Sequence, residues 1–355
     1  MPAPTVDSFM YQTMHRQPDD LRRLVTDGWA QAQQAADLLQ DAGRVFVTGI
    51  GTSYHASLVG AWLLREAGFD ARAVLSYDFA LYPSSAALRS DDAVIVMAHT
   101  GVKRYSAEAM AGATAAGATV LSVGSLTAEH PGSRLTLRTV EREKSAAYTS
   151  SHLAAMFVLA QVATLVGESR RAEGTAQFRA ALETLPAQVA DTLAREGEIL
   201  PISREGVGRL IYATGAGPNE ATALELVIKA REAAHATVDA LALEQFLHGP
   251  MIGVQPGDLA VVVNMPGKST ERVEQVTAVL DAIGLKLWIV GNPVSATPQA
   301  AAFALSDLPE ALSPLLAVVP MQIFAYQMAT HKGLNPDTFR RDDEVFKNAL
   351  DLIKL

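Results

Sequence analysis

The sequence predicts an α/β protein built from two tandem, doubly wound domains, each a five-stranded parallel sheet flanked by helices. Three observations carry this prediction. Short apolar runs alternate with helix-length segments along the chain. Two of those runs end in the same strand, Thr-Gly-x-Gly, helix pattern. A shift of register of 166 to 167 residues lays the second half of the chain over the first.

The shift is read from "RVFVTGIGTSYHAS" (44–57) and "RLIYATGAGPNEATALE" (209–225). Moving 166 residues carries Gly49 and Gly51 onto Gly215 and Gly217. The same shift lays "DDAVIVMAHTG" (91–101) on "GDLAVVVNMPG" (257–267), matching Asp92 to Asp258 and Gly101 to Gly267. A shift of 167 lays "GATVLSVGS" on "GLKLWIVGN". Glycine fills about 7% of positions in ordinary proteins, so several coincident glycines at one shift point to two copies of one domain.

In chain order, residues 1–40 read as an N-terminal helical arm. The first domain, 41–168, has strands near 44–48, 71–75, 93–97, 119–123 and 136–140. A charged helical linker follows at 169–200. The second domain, 201–334, has strands near 209–213, 236–240, 259–263, 286–290 and 301–305, and a polar tail closes the chain at 335–355. Strands this apolar, spaced by helices, indicate parallel sheets covered on both faces.

Composition narrows the function. Hydrophobic residues make up 49% and charged residues 19% of the 355, which is enough for well-filled cores. With 29 basic and 38 acidic residues the net charge is −9, which disfavours a phosphodiester partner, and no basic stripe stands out. The absence of cysteine excludes disulfides, thiolate metal sites and cysteine nucleophiles. The N-terminal stretch lacks the continuous apolar run of a secretion signal. "LSPLLAVVPMQIFAYQMA" (312–329) is interrupted by Pro320 and Gln322 and reads as too short to span a bilayer, which takes ~20 apolar residues. The expectation is a cytoplasmic protein with neither a nucleic-acid nor a membrane partner.

The glycine turn limits the ligand. A dinucleotide fingerprint needs a third glycine, but Tyr54 takes that place in the first copy and Glu220 in the second. No Walker A motif is present. What remains is a strand-to-helix turn, Gly51-Thr52-Ser53, whose hydroxyls and helix N-terminus suit an anion or a sugar hydroxyl, or simply cap the helix. A second turn, "MAHTGVKRYSAEA", also follows an apolar strand. His99, Thr100, Gly101 and Lys103 there can face the same crevice, since strand ends of one parallel sheet point one way. The alternative for Lys103-Arg104 is a solvated charge pair.

In "ALELVIKAREAAHATVDALALEQFLHGP", Glu225, Lys229 and Glu232 fall at i, i+4 and i+7 on one helical face. They form either an exposed salt-bridged stripe or an acid/base constellation. His248 stands before Gly249-Pro250, where a helix ends. No His/Asp/Glu cluster has metal-ligand spacing, and neither a metal nor a cofactor is expected.

These motifs together resemble the double sugar-isomerase (SIS) family, as in the isomerase domain of glucosamine-6-phosphate synthase and its stand-alone isomerase and deaminase relatives. "GIGTSYHAS" is similar to the family's G-T-S-Y loop, "MHRQPDDLRRL" to its entry segment, and the Ala223–Pro250 stretch to its A-L-E-x-x-x-K-x-K-E segment running on to H-G-P. The resemblance covers essentially the whole chain. It implies two tandem SIS domains of doubly wound, flavodoxin-like topology. It implies that Glu232 moves a proton between C1 and C2, that Lys229 supports it, and that His248 opens the sugar ring in a neighbouring subunit's site. It also implies that Gly51, Thr52, Ser53, Thr100 and Gly101 bind a sugar phosphate or amino-sugar phosphate, and that the protein is a homodimer with shared active sites.

Two departures qualify what the resemblance implies. The family's S-x-S-G-x-T loop here reads Ala98-His99-Thr100-Gly101-Val102-Lys103, so Lys103, with His99, is expected to replace hydroxyl contacts by charge. The synthase's Schiff-base lysine in its tail corresponds to a position near Glu344, with Lys347 out of register. The expected activity is therefore isomerase, deaminase or deglycase chemistry without glutamine hydrolysis. The alternative is a non-catalytic sugar-phosphate-binding or regulatory SIS protein.

Overall fold

A computed structural model of the protein describes residues 8–353. The described chain forms two compact units, one made of 16–143 and 150–186, the other of 8–15, 144–149 and 187–353. It therefore passes between them within its first helix, at 143/144, at 149/150 and again at 186/187.

The chain opens with helices α1 (Phe9–Asp27) and α2 (Trp29–Leu39). There follow β1 (Arg44–Gly49), α3 (Thr52–Glu66), β2 (Asp70–Leu75), α4 (Ser76–Leu81), β3 (Ala93–Met97), α5 (Arg104–Ala115), β4 (Thr119–Gly124), β5 (Leu135–Arg138) and α6 (Ser150–Arg170). The strands form a parallel sheet in the order β2-β1-β3-β4-β5. Every residue of β3 is buried, as a strand covered on both faces requires. Val94 and Val96 share one face with Phe46, Phe79, Met110 and Val120. Asp92, just before β3, is 2% exposed and receives a bidentate Arg44 guanidinium at 2.9 and 2.6 Å.

Beyond α6 come α7 (Phe178–Ala194), α8 (Leu200–Glu205), β6 (Ile211–Gly215), α9 (Glu220–Ala234), β7 (Val238–Ala242), α10 (Leu243–Leu247), β8 (Leu259–Asn264), α11 (Thr270–Ile283), β9 (Lys286–Gly291), β10 (Ala301–Phe303), α12 (Pro314–His331) and α13 (Glu344–Leu350). The second sheet runs β10-β9-β8-β6-β7, again parallel. Read from β7, its order is that of the first sheet. Asp92 and Asp258 each accept a hydrogen bond from the N–H three residues earlier, at 2.7 and 2.8 Å.

The start of α1 belongs to the unit of the second sheet. Asp337 caps it, accepting from the N–H groups of Phe9 and Met10 at 2.7 and 2.9 Å. In the same unit Glu196 accepts from Tyr11 Oη at 3.0 Å and lies 3.1 Å from His15 Nε2. Burial and this carboxylate push the Tyr11 phenol up to about 12.

One expectation is corrected. The 312–329 stretch is not too short, because α12 runs continuously through Pro320 and Gln322. With the turn before it, this segment and α6 are long and apolar enough to cross a membrane, but their apolar windows are 100% and 89% buried inside the protein. Both are core helices by that measure.

Candidate functional site

In each sheet the strand order reverses beside the first strand of the domain, so the loops after β1 and β3, and after β6 and β8, flank a crevice at the C-terminal strand ends. The Thr-Gly-x-Gly pattern is explained there. Gly49 closes β1 so near the first turn of α3 that a Cβ would stand 2.5 Å from the Ser53 carbonyl carbon. Gly215 meets Asn219 in the same way, with its carbonyl carbon 2.8 Å from a built Cβ. The second glycine of each motif has a positive φ, +60° at Gly51 and +55° at Gly217.

Gly51 itself occupies the cap position of α3, so Thr52 and Ser53 are its first two helical residues rather than its caps. The first-turn amides fold inward. Ser53 N–H donates to Ile50 O at 3.2 Å, Tyr54 N–H to Gly51 O at 2.8 Å and His55 N–H to Gly51 O at 3.1 Å. An anion at this turn therefore meets hydroxyls and the helix dipole more than a fan of open N–H groups.

The second loop turns at Gly101, with φ +102° and its N–H donating to Ala98 O at 3.1 Å. Lys103 is exposed and stands at the N-cap position of α5 without a capping bond from its side chain. His99 behaves differently. Burial drives its imidazole down to about 4, with Glu143 opposing that shift and Arg142 and Arg16 adding to it. The ring is neutral at pH 7, so His99 brings hydrogen-bonding capacity to the loop rather than charge.

Thr100, Gly101 and Val102 form one wall of a cavity of about 470 Å³ at the ends of β3 and β4. Ser125, Thr127, Glu129 and Arg142 form much of the rest. Sequence reading passed over these four. Ser125 follows the Gly124 that ends β4, a third strand end like those at Gly49 and Met97, and this was the available signal.

The unit of the second sheet holds the other candidates. On α9, Lys229 Nζ lies 2.6 Å from Glu232 Oε2 and 3.7 Å from Glu225 Oε1. The Lys229 and Glu225 side chains are 1% and 0% exposed, whereas Glu232 is 21% exposed. The exposed-stripe alternative is thereby excluded, because this row is buried and only Glu232 reaches the surface. A buried ammonium between two carboxylates holds both in place, at a desolvation cost that a surface pair does not carry. At the start of the same helix, burial raises the Glu220 carboxyl.

His248 ends α10, and its side chain is 70% exposed. Its Nε2 lies 2.9 Å from Glu244 Oε1, and Arg272 grips both oxygens of Glu244 at 2.8 Å. Arg272, then His248, hold the Glu244 carboxyl down to about 2. Gly249 follows with φ +121°, and Ile252 beyond it is 82% exposed. The structure thus joins Lys229 to Glu232, and His248 to Glu244. Gly51, Thr52, Ser53, His99, Thr100, Gly101 and Lys103 belong to the unit of the first sheet, while Lys229, Glu232 and His248 belong to the other. In the tail, Glu344 opens α13, with Asp343 capping the helix.

Residues 38–165 match the SIS domain family. Over 337 residues the chain is 27% identical to glutamine–fructose-6-phosphate aminotransferase (isomerizing) of Pyrococcus horikoshii, covering 93% of this chain and 56% of that protein. The chain therefore spans just over half the length of that relative. Among solved structures it resembles the C-terminal domain of glucosamine-fructose-6-phosphate aminotransferase from Francisella tularensis, with TM-score 0.84, 16% identity and coverage of 93% and 98% of the two chains. It also resembles tagatose-6-phosphate ketose/aldose isomerase from Escherichia coli, with TM-score 0.78, 18% identity and coverage of 95% and 96%. Residues 38–165 are thus an SIS domain, and the chain as a whole is similar in sequence to glutamine–fructose-6-phosphate aminotransferase (isomerizing) and shares its fold with these solved structures.

Proposed function

We propose that the protein acts on a sugar phosphate or amino-sugar phosphate by aldose–ketose isomerisation, with or without release of an amine. Glu232 is the acid/base. Its carboxylate takes the proton α to the carbonyl, the C–H electrons pass into an enediolate, and the carboxyl returns the proton to the adjacent carbon. Lys229, 2.6 Å away, fixes the carboxylate and offers an ammonium to the enediolate oxygen. The observation that carries this reading is the row itself, in which two members are buried and the third is open to a ligand. Similarity to an aminotransferase described as isomerizing supports it.

In the same reading, Gly51, Thr52, Ser53, His99, Thr100, Gly101 and Lys103 bind the substrate. His248 supplies the ring-opening proton to a neighbouring subunit's site in a homodimer. The exposure of His248 and Ile252 supports a covering partner at this turn.

The test is solvent exchange at C1 and C2. Hexose 6-phosphates and amino-hexose 6-phosphates are incubated with the protein in D2O and followed by NMR. The wild type is expected to introduce deuterium. Glu232→Gln is expected to slow this by roughly 10²–10⁴-fold while keeping affinity. Ligand binding without exchange in either protein supports the second reading, a non-catalytic sugar-phosphate-binding or regulatory module.

A further inference from the structure

At the edge of the second sheet where its strands begin lies a cavity that the proposed reaction does not use. Leu210 and Thr237, the residues before β6 and β7, form part of its wall. At about 170 Å³ it is smaller than the ~300–1,000 Å³ that drug-sized ligands occupy, and it has the room of a small ion. Arg209, His235 and Lys332 line it, and none of its lining residues is acidic. Arg209 donates from Nε to Glu205 O at 2.8 Å and from Nη1 to Gly257 O. Lys332 Nζ donates to Ala234 O at 2.5 Å and to His235 O at 3.3 Å, covering the carbonyl end of α9 that would repel an anion. Those acceptors are neutral, and among the described residues neither cation has a carboxylate partner. The first sheet shows the contrast. There Arg44, at the start of β1, is neutralised by Asp92 at 2.6 Å, whereas Arg209 makes no such pair with the matching Asp258. His235 ends α9 with φ +48°, and its buried Nε2 has no hydrogen-bond partner among the described residues. Burial, then Arg340 and Lys332, push the His235 imidazole down, with Asp342 and Asp343 opposing only in part. Burial and Arg340 lower the Lys332 ammonium as well. Cations that lower one another's proton affinity mark a positive potential that the protein leaves unbalanced.

We propose that this cavity is an anion site that takes one tetrahedral oxyanion of phosphate size on Arg209, Lys332 and His235. Lys332 offers its remaining ammonium proton, Arg209 its free Nη2 arm, and His235 a neutral ring N–H. None of the cavity's lining residues is among those assigned above to the substrate or to proton transfer. The site lies at the strand starts rather than in the crevice at the strand ends, so it goes beyond the proposed reaction. Free phosphate and the phosphate group of an ester share this chemistry, and the small volume favours the free ion.

The test is calorimetric titration of inorganic phosphate into the full chain at neutral pH and about 0.15 M NaCl. The wild type is expected to bind with a dissociation constant below about 1 mM. Lys332→Met and Arg209→Gln are each expected to weaken binding roughly ten- to hundredfold. His235→Gly, which suits the left-handed backbone, is expected to weaken it about two- to tenfold. Because the Gly51–Ser53 turn also suits an anion, the titration is repeated in saturating fructose 6-phosphate. Phosphate binding that persists in the sugar and is lost in the variants supports the site. Complete displacement by the sugar means that phosphate occupied the sugar's own place, and the separate site falls. No binding by the wild type, or equal affinity in wild type and variants, also overturns it. If fructose 6-phosphate itself does not bind, that counts against the proposed reaction, while the variants still decide this cavity. Melting curves without phosphate check folding. Lys332→Met uncovers the end of α9, so Arg209→Gln and His235→Gly decide the outcome if it fails to fold.

Discussion

Lys229 shows what a single side chain decides here. The i, i+4, i+7 spacing of Glu225, Lys229 and Glu232 was legible in the sequence, but spacing is the same for a wet stripe and a dry one. Only the packing of α9 distinguishes them, through side-chain exposures of 0%, 1% and 21%. Replacing Lys229 with Met removes the ammonium and leaves buried negative charge behind. Urea denaturation is expected to show a loss of about 3–5 kcal/mol, partly restored by adding Glu225→Gln. An unchanged midpoint would mean that the row is not held by its charge. His99 sets a pH dependence. Its folded value of about 4 lies below the ordinary 6.5, so between those values the unfolded chain binds more protons than the native one. Stability is therefore complete above pH 6.5 and declines as pH falls toward 4. His99→Gln is expected to flatten that slope by about 1–2 kcal/mol between pH 7.5 and 5; parallel slopes in the two proteins would contradict it. Arg142 was not legible, because in "VEREKS" it reads as one more solvated charge.

At the scale of elements, strand positions were the most legible feature, since fully buried parallel strands are near-continuous apolar runs. Expected and observed strands begin within two residues of one another, from β1 at Arg44 to β10 at Ala301. Helix α12 was read as too short, with its apolar run interrupted at Pro320. A proline removes one amide and crowds the preceding turn, yet burial along the whole helix outweighs that local penalty. The glycine pairing was legible as a pattern, but Gly101 and Gly267 do not share a cause. Gly101 has a left-handed φ, whereas at Gly267 a Cβ would meet the carboxylate end of Glu310. The strand-to-helix contact at Gly49 gives the sharpest test. Gly49→Ala drives a methyl into the Ser53 backbone, and the expected cost is about 1–3 kcal/mol. The ligand-induced rise in melting temperature should shrink as well, because Thr52 and Ser53 move with the turn. A variant that melts and responds like the wild type would show that the close approach is not required.

For the whole molecule, the proposed homodimer predicts that activity follows concentration. Dilution monitored by sedimentation should lower specific activity as dimers dissociate. Monomers with full activity would remove His248 from its proposed role. The composition of the two units was the least legible property, because local pattern carries no information about contacts made hundreds of residues away. Asp337, in what reads as a polar tail, caps the helix that begins at Phe9, across 328 residues. During synthesis Phe9 leaves the ribosome 328 residues before its partner Asp337. That unit cannot cap its first helix before residue 337 has emerged, whereas its companion has all its described parts once residue 186 is out. A chain that stops before residue 337 would thus leave the opening turn of α1 without its cap.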